Sequence, residues 1–177
     1  GIGAPANASS VYFISLQVGF VILSNSSYNQ GRDVLLGTRD GGATWQELFD
    51  APAPAPWPDG PFQVFAAGHG IGFEHDEGIV LEDTPLITAD WGKTWTPSGS
   101  LIHVSGCSAF YESITGLSFP NQAHGWATLS CGSSPSTSIL FTVNGGKTWS
   151  ENSAPVNSRS GFVGVSFPDI STGYLVS

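Results

Sequence analysis

The chain has 177 residues and a formal net charge of −9, from 5 lysines and arginines against 14 aspartates and glutamates. Hydrophobic residues make up 40% of it and aromatic residues 12%, which argues against an intrinsically disordered protein because such a chain can form a core. Five cations on an acidic chain cannot neutralise many phosphates, which argues against a nucleic-acid-binding protein. No apolar run reaches the roughly 18 residues that a membrane-spanning helix needs. The length suits a single domain, which we expect to cover 1–177.

The predicted elements are short strands. In the first part of the chain they cover 11–16, 20–23, 34–38 and 44–48, and further along they cover 117–119, 126–129, 139–142 and 148–150. These runs are rich in β-branched and aromatic residues and are separated by Gly, Asn and Ser, which is typical of an all-β fold. No stretch of the sequence has sustained helical periodicity.

Two landmarks recur along the chain with a common period. An octapeptide of the pattern T-x-(D/N)-x-G-x-T-W occurs at 38–45, 88–95 and 142–149, so that its tryptophans are 50 and 54 residues apart. A glycine followed by an aromatic residue recurs at Gly19, Gly72, Gly125 and Gly173. A period of about 50 residues with four strands per unit predicts the antiparallel four-stranded blades of a β-propeller.

The number of repeats is smaller than a closed propeller needs. The repeats fall at about 11–50, 62–98 and 114–152, with a partial repeat at 162–177, which makes about three and a half blades. Closed propellers typically have about 4–8 blades. We therefore expect an incomplete ring, or a ring completed by another chain, with self-association through the exposed edges of the terminal blades.

The octapeptides are predicted to be turns between strands. Each contains an Asp or Asn, a glycine and a tryptophan, namely Asp40, Gly42 and Trp45; Asp90, Gly92 and Trp95; and Asn144, Gly146 and Trp149. The glycine allows the positive φ of a tight turn, and the Asp or Asn side chain accepts hydrogen bonds from nearby backbone N–H groups. The tryptophan begins the next strand and can bury its ring against a neighbour.

This octapeptide resembles the Asp-box, or BNR repeat, of β-propeller proteins. In Asp-box families the motif is a structural turn on the outer rim, so the resemblance implies turn-forming roles for Asp40, Asp90 and Asn144. The third copy departs from the motif because Asn144 keeps the hydrogen-bond acceptor but loses the charge. The segments LSFPN before Gly125-Trp126 and VSFPD before Gly173-Tyr174 are similar to blade openings of photosystem II stability/assembly factor-like and exported bacterial proteins.

The resemblance implies a non-catalytic propeller module that binds a protein or glycan partner. Trp57 and Trp91 lie outside the repeated tryptophan position, so they are candidates either for contact with a sugar or partner or for local packing. The alternative is a fragment of a glycoside hydrolase, sialidase-like or xyloglucanase-like, with its catalytic carboxylate pair partly outside this chain. No catalytic residue and no cofactor is predicted. The low charge favours a secreted or extracytoplasmic location.

Two remaining features are candidates for metal binding and for a disulfide. Glu74, His75, Asp76 and Glu77 could hold a divalent cation, but their spacing matches no metal motif, and a solvated loop between strands is the alternative. The only cysteines, Cys107 and Cys131, are 24 residues apart and form no C-x-x-C motif. They predict either a disulfide, which would indicate an oxidising compartment, or two buried thiols.

Overall fold

The computed structural model describes residues 7–24, 34–49, 56–58, 60–75, 83–99, 102, 104, 112–131, 137–152 and 164–176. These residues form β-strands and turns, and no helix occurs within the described ranges. Accordingly, this part of the chain contains no helix long and apolar enough to cross a membrane.

The strands form four sheets in chain order. Sheet 1 contains β1 (Asn7–Phe13), β2 (Gly19–Ser24), β3 (Val34–Thr38) and β4 (Gln46–Phe49). Sheet 2 contains β5 (Phe62–Val64), β6 (Gly70–His75), β7 (Asp83–Thr88) and β8 (Thr96–Pro97). Sheet 3 contains β9 (Glu112–Ser118), β10 (Gly125–Cys131), β11 (Thr137–Thr142) and β12 (Ser150–Asn152). Sheet 4 contains β13 (Gly164–Ser166) and β14 (Tyr174–Val176), and within each sheet the strands adjacent in sequence pair antiparallel. The protein is therefore all-β, built from the consecutive four-stranded units of a β-propeller.

The strand register defines which positions of the sheets are equivalent. The first residue of each octapeptide pairs with a glycine of the second strand: Thr38 with Gly19, Thr88 with Gly70 and Thr142 with Gly125. In sheet 2 the glycine equivalent to Gly19 and Gly125 is therefore Gly70. The sequence analysis aligned Gly72 with them, so this prediction was wrong by two residues. Gly72 has a different role, because a Cβ there would lie 2.6 Å from the Cβ of Pro58.

A phenylalanine covers the equivalent glycine in three of the sheets. Phe13, Phe119 and Phe167 each lie six residues before Gly19, Gly125 and Gly173. A Cβ built on Gly125 or Gly173 would lie 2.3 Å from the ring of its phenylalanine, so no larger residue fits without displacing the ring. This contact explains why the segments LSFPN and VSFPD are each followed by a glycine at Gly125 and Gly173, since a glycine is needed where the phenylalanine ring lies over the next strand.

The core lies between successive sheets rather than inside any one of them. One buried cluster joins sheets 1 and 2 and contains Phe20, Ile22, Leu35, Phe62, Val64, Leu86 and Trp95. A second cluster joins sheets 2 and 3 and contains Phe73, Ile102, Val104, Ile114, Ala127, Leu129, Cys131 and Leu140. Between sheets 3 and 4, the ring of Trp126 stacks on that of Phe167 with centroids 3.9 Å apart. Apolar burial between faces therefore holds consecutive sheets together.

Candidate functional site

The three octapeptides lie between the third and fourth strands of sheets 1 to 3, and we call them turn 1 (38–45), turn 2 (88–95) and turn 3 (142–149). In turn 1, Asp40 Oδ1 accepts hydrogen bonds from Thr38 Oγ1 at 2.8 Å and from the Thr44 N–H at 2.9 Å, while Oδ2 accepts one from Thr44 Oγ1 at 2.5 Å. Thr38 Oγ1 in turn accepts a hydrogen bond from the Gly42 N–H. Turn 2 repeats every one of these contacts around Asp90. In turns 1 and 2 the aspartate carboxylate therefore links the first threonine of the octapeptide to the second one through hydrogen bonds.

Turn 3 has the same geometry without a charge. Asn144 Oδ1 accepts hydrogen bonds from Thr142 Oγ1 at 2.9 Å and from the Thr148 N–H at 3.0 Å. Asn144 Nδ2 donates to Thr148 Oγ1 at 2.8 Å, so the hydroxyl of Thr148 is an acceptor here. An amide thus satisfies the same partners as a carboxylate once the threonine hydroxyl reverses its role.

The hydrogen bonds lower the pKa values of both turn aspartates. For Asp40, the bonds from the Thr44 hydroxyl and N–H, followed by that from Thr38, lower the pKa from 3.8 to about 2. For Asp90, partial burial raises the pKa, but the bonds from Thr94 and Thr88 outweigh burial and leave the pKa below its ordinary value. Both side chains are therefore ionised at neutral pH and engaged by the residues of their own turns.

The second turn differs from the others at Trp91. Trp91 has a φ of 66°, whereas the equivalent residues in turns 1 and 3 are Gly41 and Gly145 at 73° and 72°. Its N–H donates to the carbonyl of Gly68 at 2.9 Å, and the guanidinium of Arg39 lies 5.4 Å from the centroid of its ring. A non-glycine residue in this region costs about 1–2 kcal/mol, so surrounding contacts must hold it.

The structure places both candidate aromatic residues in local packing. Trp91 and Trp57 are partly buried and pack against the cluster between sheets 1 and 2. The backbone N–H of Trp57 also donates to Glu74 Oε1 at 3.2 Å. Of the two alternatives considered from the sequence, local packing therefore describes both rings, although Trp91 also lines a groove described below.

Two grooves lie between successive turns. Groove 1 is a cavity of about 140 Å³ between turns 1 and 2, lined by Val18, Phe20, Gly37, Thr38, Arg39, Asp40, Thr44, Gln46, Leu48 and Trp91. Groove 2 is larger, about 550 Å³, and lies between turns 2 and 3. Its lining residues are Phe65, His69, Gly70, Ile87, Thr88, Ala89, Thr94, Thr96, Gln122, Asn144, Gly145 and Lys147. The grooves occupy equivalent places in the repeat, because each lies between one turn and the next.

The charges of the two grooves differ. All three cations of the described ranges, Arg39, Lys93 and Lys147, lie in the octapeptide turns. Groove 1 contains the carboxylate of Asp40 beside Arg39, whereas the residues that line groove 2 include Lys147 and His69 but no carboxylate. Groove 2 is thus lined by the cation Lys147 without a lining carboxylate, although Thr88 and Thr94 of its lining hydrogen-bond to the carboxylate of Asp90. The sequence analysis missed this groove, because its lining comes from turns 2 and 3, whose tryptophans are 54 residues apart.

The residues considered as metal ligands do not form a site in the described part of the chain. Glu74 accepts the Trp57 N–H, and His75 lies on β6 with its backbone paired to Asp83, while Asp76 and Glu77 lie outside the described residues. Within the described residues, no three or more His, Cys, Asp and Glu side chains are placed to hold a metal ion.

Several other polar side chains bind backbone groups between elements. Asp83 accepts a short hydrogen bond from the Ile114 N–H, and Glu112 Oε1 accepts one from the Val104 N–H at 3.5 Å. Cys131 is disulfide-bonded and buried in the cluster between sheets 2 and 3, while Cys107 lies outside the described residues. These buried carboxylates and Cys131 connect parts of the fold and line neither groove.

Comparison with known proteins shows a likeness of fold. No protein-family model matches the chain, and no curated protein sequence matches it. The solved structure of YCF48 bound to a D1 peptide is 14% identical with a TM-score of 0.50, and the alignment covers 92% of this chain and 57% of that one. YCF48 from Cyanidioschyzon merolae is 15% identical over 88% of this chain and 60% of that one, but its TM-score of 0.38 carries no argument. The chain thus spans less than two thirds of either YCF48 chain and shares the β-propeller fold with the first.

Proposed function

We propose that the chain is a non-catalytic propeller scaffold that binds an acidic segment of a partner protein in groove 2. The observation that carries this proposal is the charge of groove 2. Among its lining residues Lys147 carries a fixed positive charge and none is a carboxylate, although the chain as a whole has 14 acidic and 5 basic residues. A cationic groove on an acidic protein attracts a negatively charged segment and disfavours neutral or basic ones.

The remaining lining residues suit an extended peptide. The amide of Gln122, the second Nδ2 hydrogen of Asn144 and the hydroxyl oxygen of Thr94 offer donors and acceptors for the backbone of a bound segment. Phe65 and Ile87 supply apolar surface at the same place. The structure of YCF48 with a D1 peptide is a precedent for peptide binding by a protein of this fold, and it supports the class of partner rather than its identity.

We also propose that the octapeptide turns are structural and that the protein functions outside the cytoplasm. The engagement of Asp40, Asp90 and Asn144 by their own turns supports the first proposal. The disulfide state of Cys131 supports the second, because disulfides persist mainly in oxidising compartments.

The test is a binding titration with a labelled poly-glutamate peptide, measured by fluorescence anisotropy. Lys147→Ala should weaken binding about two- to fivefold, the effect of one exposed charge pair. The control is Lys93→Ala, because Lys93 has the equivalent position in turn 2 but does not line groove 2. An equal loss of affinity in both variants would mean that the peptide is attracted by the overall charge of the surface, and it would overturn the proposal of a site in groove 2. A preference for a panel of neutral glycans over the peptide would replace the proposed partner class.

A further inference from the structure

Grooves 1 and 2 have equivalent walls, although their volumes are about 140 Å³ and about 550 Å³. Each is lined by the residue before the glycine that begins the second strand, by both threonines of the octapeptide, and by the residue after the first threonine. In groove 1 these residues are Val18, Thr38, Thr44 and Arg39, and in groove 2 they are His69, Thr88, Thr94 and Ala89. The grooves are therefore two copies of one kind of site with very different volumes.

Two long side chains meet across groove 1. The guanidinium of Arg39 in turn 1 lies 5.4 Å from the centroid of the Trp91 ring in turn 2, within the range of a cation–π contact. Trp91 has a φ of 66°, and its N–H donates to the carbonyl of Gly68. A side chain in this backbone conformation persists only where surrounding contacts hold it. We call Arg39 and Trp91 together the clasp.

Groove 2 has neither side chain of the clasp. Ala89 is equivalent to Arg39, because each follows the first threonine of its octapeptide, and Gly145 is equivalent to Trp91. A single methyl group thus replaces two long side chains. Groove 2 continues onto turn 3 as far as Lys147, whereas Trp91 is the only described residue of turn 2 that lines groove 1. The size of the clasp therefore accounts for the smaller volume of groove 1.

We propose that the residue after the first threonine of an octapeptide determines whether the groove beside it admits a partner segment. Ala89 leaves groove 2 open, whereas Arg39 closes groove 1 by lying on Trp91. The inference rests on the proposed function, because it concerns the access of the same acidic segment to groove 2. It adds that groove 1 is a closed copy of that site, so that the partner enters only one of the two grooves.

The first test is titration of the labelled poly-glutamate peptide with Ala89→Trp, which fills groove 2 without changing the net charge. Binding should weaken about tenfold, because added bulk in a contact has an effect of this order. Val143→Trp is the matched control, because Val143 has the same position in turn 3, is 60% exposed and does not line groove 2. Circular dichroism establishes that both variants are folded. Unchanged binding by Ala89→Trp, or an equal loss in both variants, would overturn the inference.

The second test uses Arg39→Ala, which removes half of the clasp, with the neutral dye Nile red as the probe. Apolar side chains in the lining of groove 1, among them Phe20 and Leu48, should then bind the dye and give a brighter, blue-shifted emission. The control is Lys93→Ala, which removes the same charge from turn 2 at a residue that does not line groove 1. Equal emission from the two variants would show that Arg39 does not close the groove.

The two experiments separate the inference from the proposed function. A parent chain that does not bind poly-glutamate would refute the acidic partner of groove 2. The emission of Nile red would still decide whether Arg39 closes groove 1, because that measurement does not depend on the peptide.

Discussion

At the scale of single residues, the Asp or Asn of each turn stabilises the turn through its hydrogen bonds, and a negative charge is not required for them. Turn 3 shows that an amide can satisfy the same threonine partners as the carboxylates of turns 1 and 2. We therefore expect Asp90→Asn to unfold at nearly the parent temperature. Asp90→Ala removes the acceptor for Thr88 and Thr94 and should lower the free energy of unfolding by about 1–2 kcal/mol. Thermal denaturation of both variants checks this, and similar losses for both would contradict it.

The lowered pKa values of the turn aspartates predict acid sensitivity. Asp40 has a pKa of about 2 in the fold against 3.8 as its ordinary value, so its ionisation stabilises the fold fully above about pH 4. This contribution declines as the pH falls from about 4 towards 2, because the unfolded chain then binds the proton more readily than the folded one. Asp40→Asn combined with Asp90→Asn should flatten this part of the stability curve.

Urea denaturation from about pH 5 to about pH 2 measures the change in slope. The opposite substitution, Asn144→Asp, serves as the comparison, because it adds a carboxylate at the third turn and should make the curve steeper. Parallel curves for all three proteins would show that the turn carboxylates do not determine the acid response.

The residue-scale features differ in how far the sequence predicts them. The turn glycines and the Asp or Asn positions follow from local chemistry, since both act within eight consecutive residues. The packing of Trp91 does not follow from local chemistry, because it depends on Gly68 and on Arg39 of the neighbouring turn. The octapeptide of turn 2 shows only that a tryptophan replaces the glycine of the other two copies. Contacts between distant segments have no local signature in the sequence.

At the scale of the elements, a phenylalanine after the first strand of a sheet packs its ring on the glycine that begins or precedes the second strand, and this contact holds the connection between the two strands. A Cβ on Gly125 would lie 2.3 Å from the ring of Phe119, which is itself buried between sheets 2 and 3. We expect Gly125→Ala to destabilise the fold by about 1–3 kcal/mol, because the ring must leave its position. Gly164→Ala is the control, since a Cβ there meets no atom of the described residues within 4 Å.

Chemical denaturation of the two alanine variants provides the measurement. Gly164→Ala should be neutral or slightly stabilising, because alanine reduces the conformational freedom of the unfolded chain. Equal stability of the two variants would show that the ring of Phe119 moves aside without loss.

The strands could be predicted from the sequence, but their alignment between repeats only in part. Short apolar runs and turn residues locate strands because both signals are local. The glycine–aromatic landmark failed in sheet 2, where Gly72 makes room for Pro58 while Gly70 holds the equivalent place in the register. Groove 2 could not be predicted for a similar reason, since Phe65 and Lys147 come from sheets far apart in the chain.

At the scale of the whole molecule, Gln63 connects three sheets through one buried side chain. Its Nε2 donates to the carbonyl of Phe119 at 2.8 Å and to the hydroxyl of Tyr12 at 3.1 Å. Its Oε1 accepts the N–H of Phe119 at 2.9 Å. A single polar residue on β5 thus joins sheet 1 to sheet 3 at the strands where successive sheets meet, and it pairs both backbone groups of Phe119.

Substitution of Gln63 should therefore weaken the packing between sheets as well as the local strand. Gln63→Leu has a similar volume but leaves the buried N–H and C=O of Phe119 without their partner, which costs about 1–3 kcal/mol for each unsatisfied group. Gln63→Glu keeps the acceptor for the N–H but places a carboxylate against the carbonyl, so it should be at least as damaging. Gln17→Leu is the matched control, because Gln17 is exposed and its hydrogen bonds within the described residues use backbone groups, the N–H donating to Ser15 Oγ and the carbonyl accepting from Gly41. Urea denaturation followed by tryptophan fluorescence measures all three, and a Gln63→Leu variant as stable as Gln17→Leu would show that apolar burial alone holds the sheets together.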